Sequence, residues 1–99
     1  MIRFEWDEHK NRTNLGKHDI DFETAQLVFD DPSNVSFIER ITHGEGRWQT
    51  IGSVGGIAVI VVVHTYQEQG RNEVIRIISA RKASKHERKL YAEALQDQT

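Results

Sequence analysis

Val74-Ile75-Arg76-Ile77-Ile78-Ser79-Ala80-Arg81-Lys82-Ala83-Ser84-Lys85-His86-Glu87-Arg88-Lys89-Leu90-Tyr91 decides the fold, because a strand pattern here runs almost directly into a helix. Val74, Ile75, Ile77 and Ile78 are β-branched and suit a pleated, half-buried strand, expected from Glu73 to about Ala80. Ser84 followed three residues later by Glu87 is a capping-box signature, so a helix is expected from Ser84 to about Gln96. Its apolar stripe is Leu90, Ala94 and Leu95, with Tyr91 beside them. Arg76, Arg81, Lys82, Lys85, Arg88 and Lys89 fall within fourteen residues around this junction. Unpaired N–H groups at a helix start also attract anions, so the junction suits phosphate. By strict alternation Arg76 shares a face with Val74, Ile78 and Ala80, so its guanidinium is expected to emerge beside or within a concave sheet face, and a buried arginine needs an anion.

Upstream the text reads as hairpins. Val35 to Thr42 and Arg47 to Val54 flank a turn at 43–46, Gly55-Gly56 separates the second of these from Ile57 to Tyr66, and a polar turn at 67–72 leads into the last strand. Ile57 to Val63 is continuously apolar, which predicts a central strand or one covered on both faces. At the start, Ile2, Phe4 and Trp6 alternate with Arg3 and Glu5 as a strand with one buried face does. Asp7 caps an expected helix to about His18, and a second begins near Asp21, with Phe22, Ala25, Val28 and Phe29 on one face until Asp31-Pro32 stops it. The order β-α-α-β-β-β-β-α predicts one α+β domain over residues 1–99, an antiparallel β-sheet with two N-terminal helices and one C-terminal helix.

Composition sets the bounds. Ninety-nine residues, 37% apolar and 28% charged, make one modest core, and the absence of cysteine leaves packing alone to hold it. No run is long enough to span a bilayer and the N-terminus lacks a secretory pattern, so a soluble, cytoplasmic protein is expected. The net charge of -2 argues against nucleic acid until its distribution is considered. Residues 1–33 hold four basic and eight acidic side chains, residues 34–70 two and three, and residues 71–99 seven and four. An acidic end and a basic end fit one cationic and one anionic partner.

The first helix has Leu15 as its only large aliphatic residue and can bury little apolar surface. Lys10, Asn14 and Lys17 sit on one face, with His9 and His18 at the ends. That pattern reads either as a solvated rim helix or as a second cationic wall beside the last strand. The C-terminal cluster is likewise either a capped, solvated helix start or a phosphate site.

If the ligand is RNA, cleavage without a metal needs a base for the 2′-hydroxyl, cations for the pentavalent phosphate and an acid for the leaving oxygen. Arg76 and Arg81 are suited to clamp phosphate, Glu87 or a histidine to take the proton, and Lys82, Tyr91 or His18 to donate one. His9, His18, His43, His64 and His86 lack the spacing of a helical zinc pair, so no metal and no cofactor is expected. Residues 52–56 lack a phosphate loop's Gly-Lys-Ser/Thr, and Ser53 and Ser79 lack the context of a nucleophile.

Phe4-Glu5-Trp6-Asp7, followed by Lys10, Asn14, Lys17-His18, Phe22 and Ala25, and then 76–84 with Glu87-Arg88 and Tyr91, resembles the BrnT toxins of bacterial type II toxin-antitoxin systems. The resemblance runs nearly end to end. It implies a RelE-like ribonuclease fold and RNA cleavage that stops translation. It also implies neutralisation by a BrnA-like ribbon-helix-helix antitoxin, a heterotetramer with that antitoxin, and operator DNA contact only through the complex. Arg76, Arg81, Lys82, Glu87, Arg88 and Tyr91 match the family's C-terminal motif, and Lys10, Asn14, Lys17 and His18 its N-terminal one. From this come catalytic roles for Arg76, Arg81, Lys82, Glu87 and Tyr91, and RNA-binding roles for Lys10, Asn14, Lys17, His18 and Arg88. The family commonly has glycine after Lys-His, where Asp19 stands here, so Asp19 is expected to take a left-handed conformation. The low overall charge counts against ribosome docking more than against RNA cleavage. The rival expectation is a non-catalytic module that binds an antitoxin or nucleic acid.

Overall fold

A computed structural model describes residues 1–56 and 58–97. Its elements are β1 (Ile2–Glu5), α1 (Glu8–His18), α2 (Phe22–Ala25) continued by a 3-10 segment (Gln26–Asp30), β2 (Val35–Thr42), β3 (Glu45–Val54), β4 (Ala58–Gln69), β5 (Asn72–Lys82) and α3 (Lys85–Gln96). The order matches the sequence reading. The sheet departs from it: the strand order is β1-β5-β4-β3-β2, and β1 runs parallel to β5 while the other pairs are antiparallel. The sheet is therefore mixed, because the chain leaves β1 through two helices before starting the meander at the far edge.

Turns fix the register of that meander. His43 (φ 52) and Gly44 (φ 79) make a two-residue turn, tighter than the four residues expected. Gly70 (φ 62) lets β4 and β5 extend until Gln69 pairs with Asn72. Val54 pairs with Ala58 beyond Gly55 and Gly56, and the start of the expected apolar strand at Ile57 lies outside the described residues.

One face of the sheet is sealed by α2 and the 3-10 segment. Phe22, Ala25 and Val28 are wholly buried against Ile60, Val62, Ile75, Ile77 and Ala80. Each large side chain buried here contributes about 1.5–3 kcal/mol. The 3-10 segment presses so closely on β3 that a Cβ on Gly52 would stand 2.8 Å from Val28 Cγ1. On the opposite face α3 covers one end only, with Tyr91 set against Ile51, Val61 and Ala83. Of the expected stripe on α3, Leu90 and Ala94 are half-buried and Leu95 is 43% exposed.

α1 docks through amides rather than apolar side chains. Leu15 is 45% exposed, whereas Asn11 and Asn14 are buried. Beyond Arg76, β5 has no β1 residue beside it. There the Asn14 side chain substitutes for a strand: Nδ2 donates to the Ala80 carbonyl at 2.8 Å and Oδ1 accepts from the Ala80 N–H at 3.1 Å. The same Nδ2 donates to the Ile20 carbonyl, and Asn11 Oδ1 accepts from the Phe22 N–H. Backbone groups on a buried edge must find partners, and these two asparagines supply them. Asp7 caps α1 by accepting from the Lys10 N–H, and Asp19 adopts the left-handed conformation (φ 58, ψ 31) with its N–H donating to the Leu15 carbonyl.

Candidate active site

A β-bulge decides which way the cations of β5 point. Val63 pairs with Ser79, but His64 pairs with Ile77, so Ile78 is an extra residue in β5. Ala80 consequently joins Ile75 and Ile77 in the core, while Arg76 pairs with Thr65 and Arg81 with Val61 on the opposite face. This corrects the strict alternation that grouped Arg76 with Ala80. Arg76 is exposed, with its Nη1 3.6 Å from Glu5 Oε1 on β1. Arg76 and Arg81 share a face, yet five strand residues at about 3.3 Å separate them by roughly 15 Å.

Arg81 is where separate elements meet. Its Nη1 and Nη2 donate to Glu87 Oε1 and Oε2 at 2.7 and 2.8 Å. Glu87 also closes the capping box: its Oε1 accepts from the Ser84 N–H at 2.8 Å, and its N–H donates to Ser84 Oγ. These contacts, led by the Arg81 guanidinium, pull the Glu87 carboxyl down to about 2, and Glu87 in turn raises the pKa of Arg81. On its other side Arg81 borders an open depression of about 660 Å³ with Lys82 and the C-terminal turn of α1, including Lys17 and His18. The C-terminal end of one helix and the N-terminal end of another thus flank a single arginine.

The remaining expected residues divide by position. Lys82, Lys17, His18 and Lys10 are exposed. Arg88 folds back, Nη1 donating to the Ala83 carbonyl at 2.9 Å. Asn14 is engaged in the backbone of β5 and faces no open site. Tyr91 is 8% exposed, and its hydroxyl donates to Asp31 Oδ2 at 2.6 Å. Burial and the neighbouring Asp31 charge push the Tyr91 hydroxyl up to about 12. Asp31 accepts further from the Ser33 and Ser53 N–H groups, and its carboxyl is lowered by these bonds although burial opposes them. Sequence reasoning missed Asp31, sixty residues from its partner, and no local signal could have found it.

Two comparisons bear on this arrangement. The family model for the ribonuclease toxin BrnT of type II toxin-antitoxin systems matches residues 6–87. A 1.1 Å crystal structure of the Brucella abortus ribonuclease toxin BrnT superposes with a TM-score of 0.64 at 28% identity, covering 86% of this chain and the whole of that one. No curated protein sequence matches.

Proposed function

The chain belongs to the BrnT family of ribonuclease toxins of type II toxin-antitoxin systems, and on that premise we propose that it is a metal-independent endoribonuclease whose phosphate site is built around Arg81. The observation that carries the reading is the bidentate Arg81–Glu87 pair beside a depression lined by Lys17, His18 and Lys82, with Asp19 as its one acidic member. A guanidinium already held in a carboxylate's fork presents the geometry that binds phosphate, and phosphate is a competitor for it.

Binding and proton transfer are coupled in this scheme. When the scissile phosphate takes Arg81, Glu87 loses the main interaction that depresses its pKa and becomes a better base. Glu87 then accepts the 2′-hydroxyl proton, the 2′-oxygen forms a bond to phosphorus, and the bond to the 5′-oxygen breaks. The leaving oxygen takes a proton from His18, which lines the same depression as Arg81. Lys82, Lys17, Lys10 and Arg88 contribute positive charge for the RNA backbone, and Arg76 meets a second phosphate along β5. Tyr91 and Asn14 act by holding α3 and α1 in place rather than by touching substrate.

The wider reading is a RelE-like domain over residues 1–99 that stops translation. Its cognate partner is a BrnA-like ribbon-helix-helix antitoxin, which forms a heterotetramer with the toxin and supplies operator binding. Induction of the chain in cells lacking an antitoxin tests it. Growth arrest with RNA fragmentation is expected, relieved by Arg81→Ala and reduced by Arg76→Ala at equal folded yield. Arrest without RNA loss, or undiminished cleavage in both variants, contradicts it.

A further inference from the structure

The face that carries Arg76 and Arg81 holds more arginine than the junction alone. Arg40 pairs with Arg47, Arg47 with Thr65, Thr65 with Arg76, and Arg76 with Glu5, so one rung crosses all five strands and contains three arginines. Directly paired residues project from the same face. Two bulges bring these arginines into line. Glu39 is an extra residue in β2, between the pairs Ile38–Trp48 and Arg40–Arg47, and were it paired in regular alternation Arg40 would share the face of Ile38. Were Ile78 paired in regular alternation instead of bulged, Arg76 and Arg81, five residues apart, would point to opposite faces. A bulge interrupts the ladder and re-aims side chains, and both do so here toward one surface.

Like charges along a rung repel, and the free protein balances them incompletely. Glu5 stands 3.6 Å from Arg76 and Glu39 stands 3.7 Å from Arg47. Among the described residues the Arg40 side chain has no hydrogen bond or ion pair, and Arg47 Nε is shut from water with no hydrogen-bond partner, Glu39 Oε2 at 3.7 Å lying beyond reach. A depression of about 280 Å³ is lined by Arg40, Arg47, Thr65 and Ile78, with His43 and the acidic Glu45 also in its wall. On the adjacent rung Phe37 pairs with Gln49 on the same face and is 42% exposed. Arginines interleaved with an exposed aromatic are the composition of a single-stranded nucleic-acid platform, where cations follow the backbone and a ring stacks on a base.

We infer that the rung Arg40–Arg47–Arg76 is a backbone-tracking site for single-stranded RNA, with Phe37 as its stacking surface, and that it leads the strand across the sheet to Arg81. Three inter-strand steps of about 4.8 Å put Arg40 and Arg76 about 14 Å apart, so the arginines meet separate phosphates. The inference rests on reading the chain as a ribonuclease.

The test is fluorescence anisotropy with a labelled 2′-O-methyl dodecamer, which cannot be cleaved through its 2′-oxygen, titrated at several KCl concentrations. The Arg40→Gln/Arg47→Gln variant is expected to bind about 10- to 100-fold more weakly at low salt, with a log–log salt slope shallower by about 1.4, from about 0.7 per lost phosphate contact. Phe37→Ala is expected to weaken binding with the slope unchanged. If Arg47→Gln lowers folded yield, the exposed Arg40→Gln alone carries the test, with a slope change of about 0.7. Parental affinity and slope in these arginine variants would overturn the rung while leaving the ribonuclease reading intact. A parent that does not bind the oligonucleotide overturns both. Weakened binding of poly-glutamate with unchanged RNA binding assigns the rung to an acidic protein partner and also overturns the inference.

Discussion

Arg81 and Glu87 are joined by two parallel hydrogen bonds of 2.7 and 2.8 Å, which tie the last residues of β5 to the first turn of α3. The same carboxylate caps α3 through Ser84, so the candidate site and the helix start share one group. Glu87→Gln keeps the shape but removes the charge. It should lower stability by about 1–2 kcal/mol, with the pair's partial exposure limiting the loss, as read by urea denaturation. Arg81→Gln should lower RNA cleavage by about 100- to 1,000-fold, the usual scale for removing a preorganised donor from a transition-state charge. Single-turnover rates measured at equal folded fraction check this.

Acidification should weaken the fold in two separable steps. Burial lowers the pKa of His64 below 6.5, and its Nε2 lies 2.7 Å from the Thr50 hydroxyl. The unfolded chain therefore takes that proton first, and stability should begin to fall as pH drops below about 6.5. The Glu87 carboxyl sits at about 2 against an ordinary 4.5, so its contribution is complete above about 4.5 and drains as pH falls toward 2. Thermal unfolding of the parent and Glu87→Gln should converge over that lower window. A difference that stays constant from pH 7 to 2.5 would contradict the assignment.

Tyr91→Phe should separate anchoring from chemistry. The hydroxyl is held by Asp31 and its pKa is pushed up to about 12, which suits an anchor and not a proton donor near neutral pH. Losing the bond leaves Asp31 with two backbone donors, so a cost of about 1–2 kcal/mol is expected. Cleavage by the folded fraction should stay within about threefold of the parent. A hundredfold loss of rate with unchanged stability would return Tyr91 to the chemistry.

Asn14→Ala should be more damaging than its place on a polar helix implies. It strips partners from the Ala80 N–H and carbonyl and from the Ile20 carbonyl, all in a buried setting. A loss of about 2–4 kcal/mol is expected, and Asn14→Leu should not recover it. Amide exchange at Ala80 reports the same event directly.

Local chemistry made much of this fold legible. Ser84 and Glu87 announced α3, Asp7 announced α1, and Phe22, Ala25 and Val28 marked the buried face of α2 and its 3-10 continuation. What the sequence hid depends on distant partners. The parallel pairing of β1 with β5 joins residues some seventy positions apart, as in Ile2–Glu73. The bulge at Ile78 reverses the facing of Arg76 relative to Ala80, and a run of isoleucines gives no sign of it. Asn14 looked like one polar residue among many, because its use as a substitute strand depends on an edge that only the folded sheet creates. For the candidate site, Arg81 and Glu87 could be named from the motif, whereas the alignment of Arg40 and Arg47 with Arg76 is visible only in the register.

The most direct measurement of the central claim is cleavage of an end-labelled single-stranded RNA by the purified chain in EDTA, with the product ends identified. Fragments ending in 2′,3′-cyclic phosphate and 5′-hydroxyl are expected, formed without divalent metal and lost in Arg81→Gln at parental folded yield. Cleavage that requires added metal, 5′-phosphate products, or an Arg81→Gln variant as active as the parent would contradict it.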